Sequence, residues 1–204
     1  PSRSDQKRAS ILDSARQLFF QNGFLGTSMD QVAALAAVSK QTVYKHFDDK
    51  ESLFREVVAD VVRVRDGGIP ETLLTEGEGS IGAQLRMFAR YFLRGLTQPE
   101  VLKLRRLVIG EAGRFPELGR AFYELGPKRA AEQLAAVIRN AAQACDISIE
   151  SPKVAAEHFW WLILSGPLDR AMLLGEESFA ESALDKTADD GVLAFLRAYG
   201  FAED

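Results

Sequence analysis

Apolar residues recur at helical spacing along almost the whole chain, and nowhere do they alternate with polar ones for more than a few positions. An amphipathic helix repeats every 3.6 residues and a half-buried strand every two, so the pattern specifies an all-α fold with no sheet. Ile11, Ala15, Leu18 and Phe19 draw one stripe on a helix from about Asp5 to Gln21, which Asn22-Gly23 ends. Thr27 and Ser28 offer capping hydroxyls to a short helix carrying Met29, Val32, Ala33 and Ala36, with Asp30 favourably placed in its first turn. Ser39 caps another, Lys40 to Phe47, and Asp48-Asp49 a long one with Leu53, Val57, Val61 and Val64 on one side. Gly67 to Pro70 and Gly77 to Ser80 bracket a loop. Further helices then start at Ser80, Pro99, Pro116, Pro127 and Ser151-Pro152. Gly166-Pro167 is expected to kink or end the last of these, and Val192, Phe195, Leu196 and Tyr199 form the closing apolar face.

Composition narrows the class. A chain of 204 residues with 47% hydrophobic and 26% charged side chains buries a real core, which excludes intrinsic disorder. The longest apolar run, Phe159 to Leu164, is far short of the roughly 18–20 residues of a membrane span. The charged amino end is unlike a signal peptide, so an intracellular, cytoplasmic address is expected. The single cysteine, Cys145, with His46 and His158 as the only histidines, gives no disulfide and no metal-ligand spacing. The net charge of −4 is uneven: residues 1–55 hold eight basic and six acidic side chains, net +2, and the rest is net −6. A basic front on an acidic body suits a meeting with a polyanion.

The arrangement from Thr27 to Lys50, TSMDQVAALAAVSKQTVYKHFDDK, is a short helix, a tight turn and a short polar helix. A helix that enters the major groove is held by few apolar anchors and presents donors to base edges and phosphates. Val43 and Phe47 are the anchors here, leaving Lys40, Gln41, Thr42, Tyr44, Lys45 and His46 free to project. Lys donates to guanine O6 and N7, Gln pairs with adenine N6 and N7, and the Thr methyl meets a thymine methyl. Tyr44, His46, Lys50 and the capping hydroxyls of Thr27 and Ser28 suit phosphate contacts, and Ser39 completes the expected DNA-binding set. The same residues also describe a solvated helix face.

The first 60 or so residues resemble the DNA-binding domain of TetR-family bacterial transcriptional regulators. The match runs through Ala15, Phe19, Gly23, Phe24, Thr27, Val32-Ala33, Val38-Ser39-Lys40, Thr42-Val43-Tyr44, His46-Phe47 and Lys50-Glu51. Two positions depart from it: the family often has glycine where this chain has Ala37 in the turn and Gln41 in the recognition helix. If Ala37 must take a positive φ, the strain is on the order of 1 kcal/mol, while Gln41 adds a reader. The resemblance implies a helix-turn-helix domain over 1–55, a connecting helix over 50–66, and a helical effector-binding and dimerising domain over 67–204. Arg106 to Pro127 further resembles a subgroup similar to AcrR and AefR.

Phe88, Tyr91, Phe92, Leu107, Phe115, Phe122 and Tyr123 are candidates to line an effector cavity, with Arg90 and Glu111 as polar handles, although each also suits plain core. Trp160 and Trp161 cannot face one direction on a helix, so one is assigned to core and its neighbour to an interface. His158 is expected to be packed and hydrogen-bonded, and Cys145 buried or inert. No nucleophile-histidine-acid set and no phosphate loop is present, so catalysis and cofactors are not expected. The leading expectation is a homodimeric repressor on a palindromic operator in double-stranded DNA, released by a small hydrophobic effector, with the connecting helix as lever. The alternatives are a helical carrier or enzyme with a degenerate helix-turn-helix, and a DNA-binding dimer without a ligand.

Overall fold

The structure, a computed structural model, describes residues 2–66, 80–176 and 178–203, with 63–66 as backbone only. The expected loop segments 67–70 and 77–79, and the Val64 side chain, lie outside the described residues. All described regular structure is helical: α1 (Arg3–Asn22), α2 (Met29–Leu35), α3 (Lys40–His46), α4 (Lys50–Asp66), α5 (Ile81–Leu96), α6 (Pro99–Glu111), α7 (Pro116–Tyr123), α8 (Arg129–Ala144), α9 (Pro152–Leu174) and α10 (Glu181–Tyr199). None of these helices is long and apolar enough to cross a membrane.

Local signals explain most boundaries. Ser2 and Asp5 form a capping box at the start of α1, and Gly23 at φ 74° ends it. Ser28 and Gln31 form a second box, while Ser39, Ser80 and Ser151 each accept from a backbone N–H of the first turn they cap. Two prolines lie inside helical turns. Pro127 does not open α8 but sits inside a π-helical turn, Glu124–Lys128, that carries the chain from α7 into it. Of the two outcomes expected at Pro167, ending the helix does not occur: α9 continues to Leu174 with Pro167 buried, so packing outweighs the lost backbone hydrogen bond.

The chain divides into two compact units, 1–62 with 103–125, and 63–102 with 126–204. Most of α6 and all of α7 belong to the first of these units. That unit is built on Phe19, Phe24 and Phe54, whose ring centroids lie 5.2–5.7 Å apart, with Ile11, Val32, Val43, Leu53 and Val57 buried around them. Phe115 adds a fourth ring, 4.9 Å from Phe24.

In the second unit α5, α8, α9 and α10 share one core, in which Leu85, Phe88, Phe92, Leu134, Ile138, Phe159, Ile163, Val192, Phe195 and Leu196 are buried. Gly191 lets α10 approach α9 closely: a Cβ there would fall 2.7 Å from Ile163 Cγ2 and 3.0 Å from Leu162 O. Outside the core, Arg94 donates from Nε and Nη2 to the Asp185 carboxylate at 3.0 and 2.6 Å, and Arg90 pairs in the same way with Asp189.

Candidate nucleic-acid interface

The interface candidate is assembled on the first unit, where α2 and α3 meet through a turn. Val32 and Ala33 on α2 and Val43 and Phe47 on α3 are buried, which fixes the face each helix turns inward. The turn needs Ala37 at φ 52°, in the left-handed region, where its N–H donates to Ala34 O and the next N–H, from Val38, to Ala33 O. Ser39 then starts α3, its Oγ accepting from Thr42 N at 3.1 Å and lying 2.8 Å from Thr42 Oγ1.

At about 100° per residue, Gln41 and Lys45 stand on the side of α3 opposite Val43 and Phe47. Both are exposed, with Thr42 half-buried beside them. Lys40 and Tyr44 occupy one flank. Lys40 Nζ makes a 2.7 Å ion pair with Asp30 and stands 6.0 Å from the Tyr44 ring centroid. Its hydrogen bond to Asp30, and then the charge of that carboxylate, raise the Lys40 pKa, so the ammonium persists at neutral pH. His46, half-buried on the other flank, lies against Phe47 at 6.4 Å between centroids. The Asp30 partnership escapes sequence reading because ten residues and a turn separate its members.

Two expected phosphate contacts are engaged inward. Thr27 is 2% exposed and its hydroxyl donates to Gly23 O at 2.8 Å, so Ser28 alone caps α2. Lys50 Nζ donates to Phe24 O at 2.8 Å and Thr27 O at 2.9 Å and lies 4.4 Å from the Phe24 ring centroid. The ammonium thereby ties the start of α4 to the α1–α2 loop. Ser28 and Ser39 are exposed, although each hydroxyl already serves its cap.

The expected effector residues are divided between the two units. Phe88 and Phe92 pack with Trp160 in the core of the second unit, and half-buried Tyr91 meets Phe92 edge-on. Leu107, Glu111, Phe115, Phe122 and Tyr123 belong to the first unit. There Phe115 meets Phe24 edge-on, a Cβ on Gly23 would lie 3.2 Å from Glu111 Oε1, and Tyr123 is exposed. Arg90, a suggested polar handle, is held by Asp189. Trp160 is 8% and Trp161 63% exposed, which separates the pair as expected for the core member. His158 Nδ1 lies 2.7 Å from Tyr199 Oη but is exposed, and Cys145 is exposed rather than buried.

Residues 11–57 match the family described as bacterial regulatory proteins, tetR family, and residues 83–201 match the carboxy-terminal domain of AefR-like transcriptional repressors. Among solved structures, a TetR-family transcriptional regulator from Mesorhizobium loti is 36% identical, covering 98% of this chain and 99% of that one with a TM-score of 0.83. The flavonoid-responsive regulator FrrA is 32% identical over 95% of this chain and 97% of its own, with a TM-score of 0.81. The regulator AcrR of Shigella flexneri is 41% identical over 54 residues, 26% of this chain. The match spans only 25–32% of the length of such curated relatives. Helix-turn-helix geometry at the amino end, a second helical unit and whole-chain similarity lead to one conclusion: the chain belongs to the TetR family of bacterial transcriptional regulators.

Proposed function

We propose that this chain is a cytoplasmic, homodimeric repressor that reads a palindromic operator through α3 and leaves it when a small, largely apolar molecule binds. The observation that carries the DNA reading is the pairing of Gln41 and Lys45 at the centre of an exposed face whose opposite side is pinned by Val43 and Phe47. Gln41 suits adenine N6 and N7, and Lys45 suits guanine O6 and N7. Tyr44, Lys40, His46 and the cap residues Ser28 and Ser39 flank them as phosphate partners. Thr27 and Lys50 instead hold the loop on which the unit depends.

Homodimerisation is supported by α9, which exposes Trp161, Leu162 and Leu173. In the DNA-bound dimer the two α3 helices are expected about 34–36 Å apart, matching successive major grooves. A ligand that prefers another spacing weakens binding by its differential affinity, and a near-complete switch needs a preference of about 10⁴-fold. α4 is one lever. The Glu111 to Phe115 corner is a second, since it packs on Gly23 and Phe24 beside the start of the helix-turn-helix. The likeness to a regulator named as flavonoid-responsive puts planar polyphenols at the head of the effector panel.

The test is selection of bound sequences from a random duplex library, with and without that panel. A palindromic consensus, lost with one compound, is the expected result. Gln41→Ala should change the preferred base at one position in each half-site, and Lys45→Ala should relax a guanine. A consensus unmoved by every compound would remove the effector, and no consensus would remove DNA reading.

A further inference from the structure

The two lysines of α3 stand in different surroundings. Lys45 is exposed and meets no carboxylate among the described residues. Lys40, in the first turn of α3, is paired across the turn with Asp30 on α2: its Nζ lies 2.7 Å from one carboxylate oxygen and donates to the other at 3.1 Å. Both side chains remain exposed, at 59% and 64%, and the Lys40 ammonium stands 6.0 Å from the ring centroid of Tyr44. Asp30 thus puts a negative charge among the residues assigned to DNA, two positions from Ser28. It hangs by one methylene from a helix whose Met29, Val32 and Ala33 are buried, whereas Lys40 swings on a four-carbon stem, so the lysine is the partner that moves.

A DNA phosphate offers that ammonium a second anion. Lys40 reaches it either by leaving Asp30 or by drawing the carboxylate towards a like charge, and both lower the gain. An exposed ion pair is weak, so it yields to DNA instead of blocking it, but its worth is subtracted from the binding free energy. We propose that Asp30 competes with the DNA backbone for Lys40 and so holds the affinity of α3 for any duplex below what its two lysines alone would give. The proposal rests on the DNA reading and deepens it, by giving a role to a residue outside the expected contact set.

Binding of the full chain to its selected operator and to an unrelated duplex of equal length, each over a range of salt concentrations, tests the competition. Asp30→Asn keeps the shape and removes the charge. It should bind both duplexes roughly two- to tenfold more tightly at low salt, the range of an exposed pair together with a relieved repulsion. Its plot of log K against log salt should steepen by about 0.9 for each half-site, because a lysine without a partner displaces about one counterion that a neutral pair does not. Asp30→Glu keeps the charge and should keep the parent slope. Lys40→Met leaves the carboxylate bare and should weaken both duplexes, and adding Asp30→Asn to it should restore binding to near the parent level. Equal or weaker binding by Asp30→Asn, or an unchanged slope, would overturn the proposal. So would a change in the preferred bases, which marks Asp30 as a base contact and not a competitor. A parent that binds no duplex removes the DNA reading and the proposal together, whereas a parent with a palindromic consensus beside an idle Asp30→Asn removes the proposal alone.

Discussion

Ala37→Gly should make the protein more stable, although glycine usually does the opposite. Ala37 holds φ at 52°, where an L-residue pays roughly 1–2 kcal/mol in contact between Cβ and the following carbonyl. Glycine removes that contact, and it returns about 0.4–1 kcal/mol by loosening the unfolded chain. The methyl of Ala37 is exposed, so its loss uncovers no core. The two turn hydrogen bonds, Ala37 N to Ala34 O at 3.2 Å and Val38 N to Ala33 O at 3.0 Å, belong to the backbone and survive. The net gain is about 0.5–1 kcal/mol, or a rise of roughly 1–4 °C in the melting midpoint for a chain of this size. Thermal unfolding followed by far-ultraviolet circular dichroism measures it. Ala34→Gly is the control: an exposed helical alanine three residues away, it should cost up to about 1 kcal/mol. If Ala37→Gly lowers the midpoint as Ala34→Gly does, the turn is not strained and the reasoning fails.

Three further outcomes can be checked. Lys50→Met removes both carbonyl contacts of the α1–α2 loop and should destabilise the first unit by about 1–3 kcal/mol; an unchanged melt, with a salt slope reduced by about 0.9, would instead make Lys50 a phosphate ligand. Gly191→Ala forces a methyl against Ile163 and the Leu162 carbonyl and should cost about 1–3 kcal/mol in urea unfolding, and a neutral result would show that α9 and α10 can part freely. Hydrogen bonding to Arg94 holds the Asp185 carboxyl below the usual carboxylate range. A depressed folded-state pKa stabilises fully above the unfolded value of about 3.9, and that stabilisation is lost as pH falls through the folded value. Asp185→Asn should therefore flatten the fall in melting temperature on the acid side of about pH 4, and an unaltered acid limb would contradict the pairing.

Much of the fold can be read in the chain because capping and periodicity act over a few residues. Ser28, Ser39 and Ser80 announce helix starts, Gly23 an end, and Val43 with Phe47 the buried side of α3, each through contacts made within one or two turns. The placement of Gln41 and Lys45 follows from Val43 and Phe47 by helix geometry alone. Proline is less reliable as a stop, since what Pro167 costs α9 locally is outweighed by the core around it.

Polar side chains show the limit. Thr27 and Lys50 carry the same donors as Ser28 and Lys45, and nothing in their neighbours along the chain says that they point inward, to Gly23 in one case and to Phe24 and Thr27 in the other. Phe115 sits about ninety positions from Phe24, and nothing local says that the two rings meet. The sequence by itself determined the helices, their buried faces and the helix-turn-helix. Only the tertiary structure decided which donors are engaged within the protein, because a hydrogen bond depends on groups that long-range packing brings together.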